Sequence, residues 1–282
     1  AGRTQPTSGV EQHHRTEKTG GTVRLYIGRT SLSTPEKRQK EAWVALQMQQ
    51  ATQSDAWATP AGYQSLALEH KLVAARGDFL NVYTAMTLID PNAAAPSGRG
   101  DNTGPSATRL VLRDLAQLAA FVAEDGSIND FATTEVLRRA GCLDQLPADA
   151  NQRIARTEEM HGAVVAFAAA SVKFDATVED VIAPIIKAQV FKVDARLLQQ
   201  FADETPPPTA PIPRKETETD DARRRRGWCA LFKAPWAELE RYRRYLAGNS
   251  ELATHQVVKG SEFTHVMVVM DDEQSGGNQI MT

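Results

Sequence analysis

The sequence predicts an α/β fold in which a parallel-sheet layer is interrupted by a large, mainly helical insertion. Three observations predict it. Residues 21–86 alternate strand and helix patterns. Residues 87–250 then turn almost wholly to helix and loop, and residues 251–272 return to a strand pattern. A layer that stops and resumes in this way holds an inserted unit.

Taken in order, residues 1–20 are polar, include His13 and His14, and read as a disordered tail. Val23, Leu25 and Ile27 alternate with Thr22, Arg24 and Tyr26, which predicts a period-2 strand. Thr34, Pro35 and Glu36 supply an N-cap, a proline for the first turn and an acid, so a helix is expected to about Gln50. Ser65–Glu69 predicts a second short strand, followed by one helix from His70 to about Ala85. Residues 87–100, rich in Ala, Pro, Ser and Gly, predict a boundary loop.

Within the insertion, Val111, Leu115, Leu118 and Val122 fall on one helix face. Val178, Val181, Ile182 and Ile185 do the same, with Thr177 as N-cap. Residues 203–222 hold five prolines and a run of acids, which predicts a linker or surface loop. A helix opened by Pro235 presents Trp236, Leu239, Tyr242 and Leu246 on one stripe. His265–Met270 is a mostly apolar run, the pattern of a central parallel strand buried on both faces. Residues 273–282 read as a tail.

The 282 residues are 41% hydrophobic and 24% charged, the balance of a soluble globular chain. A net charge of -3 and a pI near 6.1 confine any basic face to a local patch. Cys142 and Cys229 are too few for a disulfide framework or a zinc site and read as reduced buried thiols. No apolar run approaches the roughly 20 residues that a membrane span needs, and residues 1–20 lack a signal-peptide core. A cytoplasmic protein with no membrane partner is the expectation.

Thr254-His255-Gln256-Val257-Val258-Lys259-Gly260-Ser261-Glu262-Phe263, followed by an apolar strand, carries the sharpest pattern. It resembles motif V of the UvrD/Rep-like superfamily 1 DNA helicases, T-x-H-x-x-K-G-L-E-F, with Thr254, Lys259, Gly260, Glu262 and Phe263 in order and at the family spacing. Leu66–Arg76 also resembles a strand-to-helix turn of the same lobe, and the helix with Trp236 and Tyr245 resembles one branch of these enzymes. Two positions depart from the family. Gln256 stands where the family has His, with His255 one place early, and Ser261 stands where it has Leu. A Gln amide can still donate to a phosphate oxygen, whereas a hydroxyl buried in an apolar slot costs about 1–3 kcal/mol without a partner.

The resemblance implies an incomplete RecA-like parallel-sheet lobe, the second motor lobe, formed by residues 21–86 and 251–272, with 87–250 as its helical accessory insertion. It implies that Thr254, His255 and Gln256 contact the backbone of single-stranded or forked DNA. It implies that Gly260, Glu262 and Lys259 form one edge of an ATP site. Gly260 would let backbone approach a ligand, having no Cβ, and Glu262 would accept from ribose hydroxyls. Unwinding from 3′ to 5′ also follows only from the family.

No G-x-x-x-x-G-K-[ST] occurs, so no phosphate-cradling loop is present, and no pattern like the arginine-bearing motif VI occurs in 271–282. ATP and Mg²⁺ are therefore expected only in a complete enzyme, whose ATP-binding lobe would be a partner. The chain alone is not expected to be an ATPase, and no catalytic residue or metal ligand is assigned. Asp271-Asp272 after an apolar strand has the form of a magnesium-holding acid pair, but with no phosphate to share the metal it reads as a strand end. Arg223, Arg224, Arg225 and Arg226 beside Trp228 form a second candidate DNA contact, gripping phosphate and stacking a base, or else a solvated face balanced by the acids at 216–221. Lys71 and Arg76 are weaker phosphate candidates whose simpler role is surface solvation. The rival to a helicase segment is a non-catalytic nucleic-acid or protein-binding module derived from such a lobe.

Overall fold

The computed structural model describes residues 21–29, 31–96, 108–192, 219–250, 252–254, 258 and 261–271. It is a mixed α/β arrangement: one small parallel sheet and many helices. No helix among the described residues is long and apolar enough to cross a membrane.

The sheet has three strands, β1 (Gln64–Ala67), β2 (Leu252–Thr254) and β3 (Val266–Val269), in the order β2-β1-β3. Both pairings are parallel, with Ala67 opposite Thr254 on one side and Val269 on the other. Helix α1 (Thr34–Thr52) covers one face of β3. Its start is fixed by a capping box, the Ser33 N–H and hydroxyl both donating to Glu36 Oε2 at 2.7 and 2.6 Å. Ala45 and Met48 of α1 enclose a small core with Trp57 and Met267.

Three expectations change here. The Val23–Ile27 alternation does not become a paired strand. Residues 21–29 run without turn or bend, and Val23, Leu25 and Ile27 are 96%, 76% and 88% exposed. Pairing requires a neighbour at hydrogen-bonding distance, and no backbone bond joins this run to β3 among the described residues. Second, β3 is an edge strand. Val266 and Val268 are exposed because only one of its faces is covered.

Third, the helix expected over 70–85 is two helices, α2 (His70–Arg76) and α3 (Leu80–Ile89). Asp78 takes φ 55° between them. Arg38 donates to the Arg76 carbonyl and to the Asp78 carboxylate, both at 2.6 Å, and Arg241 donates to the Asp78 carbonyl at 3.0 Å. These contacts hold a corner that local helix propensity alone would straighten. Buried Glu238 caps the new start of α3, accepting from the backbone N–H groups of Asn81 and Val82 at 3.0 and 3.1 Å.

The remaining helices form the larger core. A π-helical turn (Leu110–Leu115) runs into α4 (Ala116–Ala119), then α5 (Asp130–Arg139), α6 (Ala150–Ser171) and α7 (Val178–Lys187) follow. The 111–122 face is shorter than expected: Val111, Leu115 and Leu118 are buried, but the helix ends before Val122, which bridges to Ile128. Thr177 caps α7 as expected, with Asp180 returning the bond to the Thr177 N–H at 3.0 Å. Helix α8 (Asp220–Lys233) starts at the edge of the expected loop, whose residues before 219 lie outside the described set. Helix α9 (Trp236–Leu246) buries Leu239, Tyr242, Tyr245 and Leu246. One apolar cluster runs from Ala67 and Leu72 through Met86, Phe167, Ile182 and Leu231 to Tyr242.

Candidate nucleic-acid interface

In an open parallel sheet, ligands bind beyond the carboxyl ends of the strands. Thr254 is the last residue of β2 and stands beside Ala67, the last residue of the central strand β1. Its side chain is 1% exposed, and its hydroxyl is buried with no hydrogen-bond partner among the described residues. A buried orphan hydroxyl costs about 1–3 kcal/mol, so this group gains from any acceptor that reaches it.

His255, Gln256, Lys259 and Gly260 lie outside the described residues. Around them the chain is cinched by Val258 N–H donating to the Thr254 carbonyl at 3.4 Å and Ser261 N–H to the Val258 carbonyl at 2.9 Å. Ser261 is exposed, so the penalty expected for burying its hydroxyl does not arise. Glu262 is exposed, and Phe263 is 41% exposed. Because β3 runs parallel to β2, the chain crosses the sheet between Thr254 and Val266. Thr254 and Val266 thus stand at opposite ends of their strands, about 10 Å apart along the strand direction at 3.3 Å per residue.

The second candidate surface divides. Arg224 and Arg225 are exposed on α8, while Arg223 is half-buried and pairs with Asp220 at 3.1 Å. Trp228 is only 6% exposed and packs against Phe232. The expected base-stacking role of Trp228 is therefore corrected: its indole faces the core, because Gly227 beside it sets α8 closely against Leu88 and Ile89 of α3.

Sequence reasoning missed a buried ion network. Asp271, just past β3, accepts from Lys37 at 3.0 Å and from Arg76 at 3.2 Å, and Arg76 also binds Glu41 at 2.8 Å. Lys37, Arg76 and Asp271 are all buried. Arg76 is thus a buried structural cation and not a surface phosphate contact, whereas Lys71 is exposed. Asp271 is occupied by two cations, which opposes the magnesium role that its position after a strand suggests. The missed signal lies in α1, where Lys37 and Glu41 continue the stripe of Ala45 and Met48.

His70 contacts the Tyr245 hydroxyl, and Tyr245 stacks against Phe79 at 5.1 Å. Burial first, then the neighbouring Tyr83 and Tyr242, pushes the Tyr245 hydroxyl far above the ordinary phenol range. Cys142 is buried and Cys229 half-buried. Among the described residues no group of three His, Cys, Asp or Glu could hold a metal ion. Compared with known proteins, the chain matches no family model, no curated protein and no solved structure.

Proposed function

We propose that this chain is a segment of a UvrD/Rep-like DNA helicase, contributing single-stranded DNA contact and one edge of an ATP site within a RecA-like lobe. One observation carries the reading: a motif V-like run, Thr254 to Phe263, that starts at the carboxyl end of a strand beside the centre of a parallel sheet. A hydroxyl and a neutral amide, Thr254 and Gln256, suit phosphate contact without base readout. Exposed Arg224 and Arg225 would add a salt-sensitive grip. Gly260, Lys259 and Glu262 would meet the nucleotide, with the phosphate-binding loop and magnesium chemistry supplied by another lobe.

Fluorescence anisotropy with labelled oligothymidylate tests this. Saturable binding is expected at low salt, weakened by Gln256→Ala and by Lys259→Ala. Replacing Arg224 and Arg225 by Ala is expected to reduce the salt slope by about 0.7 for each lost phosphate contact. Absence of any saturable binding at low salt sinks the reading. Saturable ATP binding by the chain alone would contradict the division of the site between two lobes.

A further inference from the structure

A cavity of about 730 Å³ is bounded by two parallel walls of chain. One wall is the unbroken run Thr22–Arg29, and the other is the unbroken run Thr264–Asp271, which contains β3. The floor is α1, with Val44 and Met48 among the lining residues. Paired strands lie about 4.8 Å apart and leave no cavity between them. These two runs share no backbone hydrogen bond among the described residues.

The direction of each wall follows from α1. Lys37 at its start binds Asp271, just after β3, and Ser54, just past its end, lies 3.0 Å from His265, just before β3. Helix α1 thus runs antiparallel to β3. Tyr26 rests edge-on against Trp43 in the middle of α1, and from there the chain has to return to the start of α1 at Thr34. The 22–29 run therefore points the same way as β3.

The free edge of β3 is ready for a partner. Gln64 N–H donates to the His265 carbonyl at 2.9 Å, which directs residues 265, 267 and 269 toward β1. The N–H and C=O groups of Val266, Val268 and Met270 then point into the cavity. No proline or charged side chain guards this edge, the devices that natural edges use. Two residues lining the cavity, Tyr26 and Trp57, also carry a buried hydroxyl and a buried indole N–H with no partner among the described residues.

We propose that this slot is a strand-acceptor site for a separate polypeptide. It takes an extended segment of six to eight residues, parallel to β3, which bonds β3 on one side and the 22–29 run on the other. Alternate apolar side chains drop onto Val44 and Met48. Lys40, one turn along α1 from the Lys37 that binds Asp271, lines this end of the slot with its ammonium 4.4 Å from the Trp43 ring centre, and Arg29 also lines the slot; neither makes an ion pair among the described residues, so the segment ends in acidic residues there. Main-chain bonds supply the affinity and the floor supplies the selectivity. This inference stands apart from the DNA reading, since it uses none of the motif residues.

The probe is a labelled, N-acetylated peptide, Thr-Val-Thr-Val-Thr-Val-Asp-Glu, titrated into the full chain. Saturable binding is expected. Val268→Pro removes an outward N–H without touching the β1 ladder and should weaken binding by about tenfold, the effect of losing one or two hydrogen bonds. Arg29→Glu should weaken it as well, and the peptide with its acids moved to the other end should bind less well. An N-methylated peptide, which cannot donate, should not bind, and this arm is independent of how any variant folds. No saturable binding, or equal binding by the N-methylated peptide, overturns the proposal. Self-association of the chain that Val268→Pro abolishes also overturns it, by giving the slot to a second copy.

Discussion

At the scale of single residues, buried Lys37, Arg76 and Asp271 form an ion network with half-buried Glu41. Breaking a buried pair leaves a charge without compensation, at a cost of about 3–5 kcal/mol. Asp271→Asn is therefore expected to lower the unfolding free energy obtained from urea titration by that order. Lys37→Met combined with Asp271→Leu should cost less than the sum of the two single changes, because both partners leave together. Additive losses would show that the pair is not coupled. Cys142 gives a pH-dependent counterpart. Burial, with help from Asp114 and Asp144, pushes its thiol up from 9.0 to about 11. The folded chain then keeps a proton that the unfolded chain has lost, so the contribution is full below pH 9.0 and drains away as pH rises toward about 11. Urea titrations should show stability falling more steeply across this window in the wild type than in Cys142→Ala. Parallel pH profiles would remove Cys142 from the account.

At the scale of elements, the contact between α3 and α8 depends on one missing side chain. A methyl group on Gly227 would lie 2.9 Å from Ile89 Cγ1, the Ile89 nitrogen and Leu88 Cβ. Two of these atoms belong to a packed helix and cannot swing aside. Gly227→Ala is expected to destabilise by about 1–3 kcal/mol despite its better helix propensity. A raised melting temperature would show that the helices can separate without loss. This scale also marks what could be read from sequence. Helix α7 was legible because its cap and apolar stripe are local, written within Thr177–Ile185. The break between α2 and α3 was not, because Arg38 and Arg241 create it from distant positions. The Val23–Ile27 pattern was legible as extended chain, yet whether such chain pairs depends on a neighbour that its own sequence does not name.

At the scale of the molecule, the α/β character follows from sequence, since period-2 and apolar runs locate β1 and β3, whereas β2, and with it Thr254 at a strand end, does not, because three residues are too few to show a period. Burial of Trp228 and of Asp271 did not, because burial is a property of packing between elements remote in the chain. The bulk charge gave no hint of either. The sheet itself has a consequence in time. Its central strand ends at Ala67, and both of its partners lie at or beyond Leu252. During synthesis, a ribosome that has made the whole helical core still holds β1 without a described partner. Long-range strand pairing is slow because distant segments must meet before any bond rewards them. The helices thus have the opportunity to pack first, and among the described elements the sheet that carries both proposed sites is the last able to close.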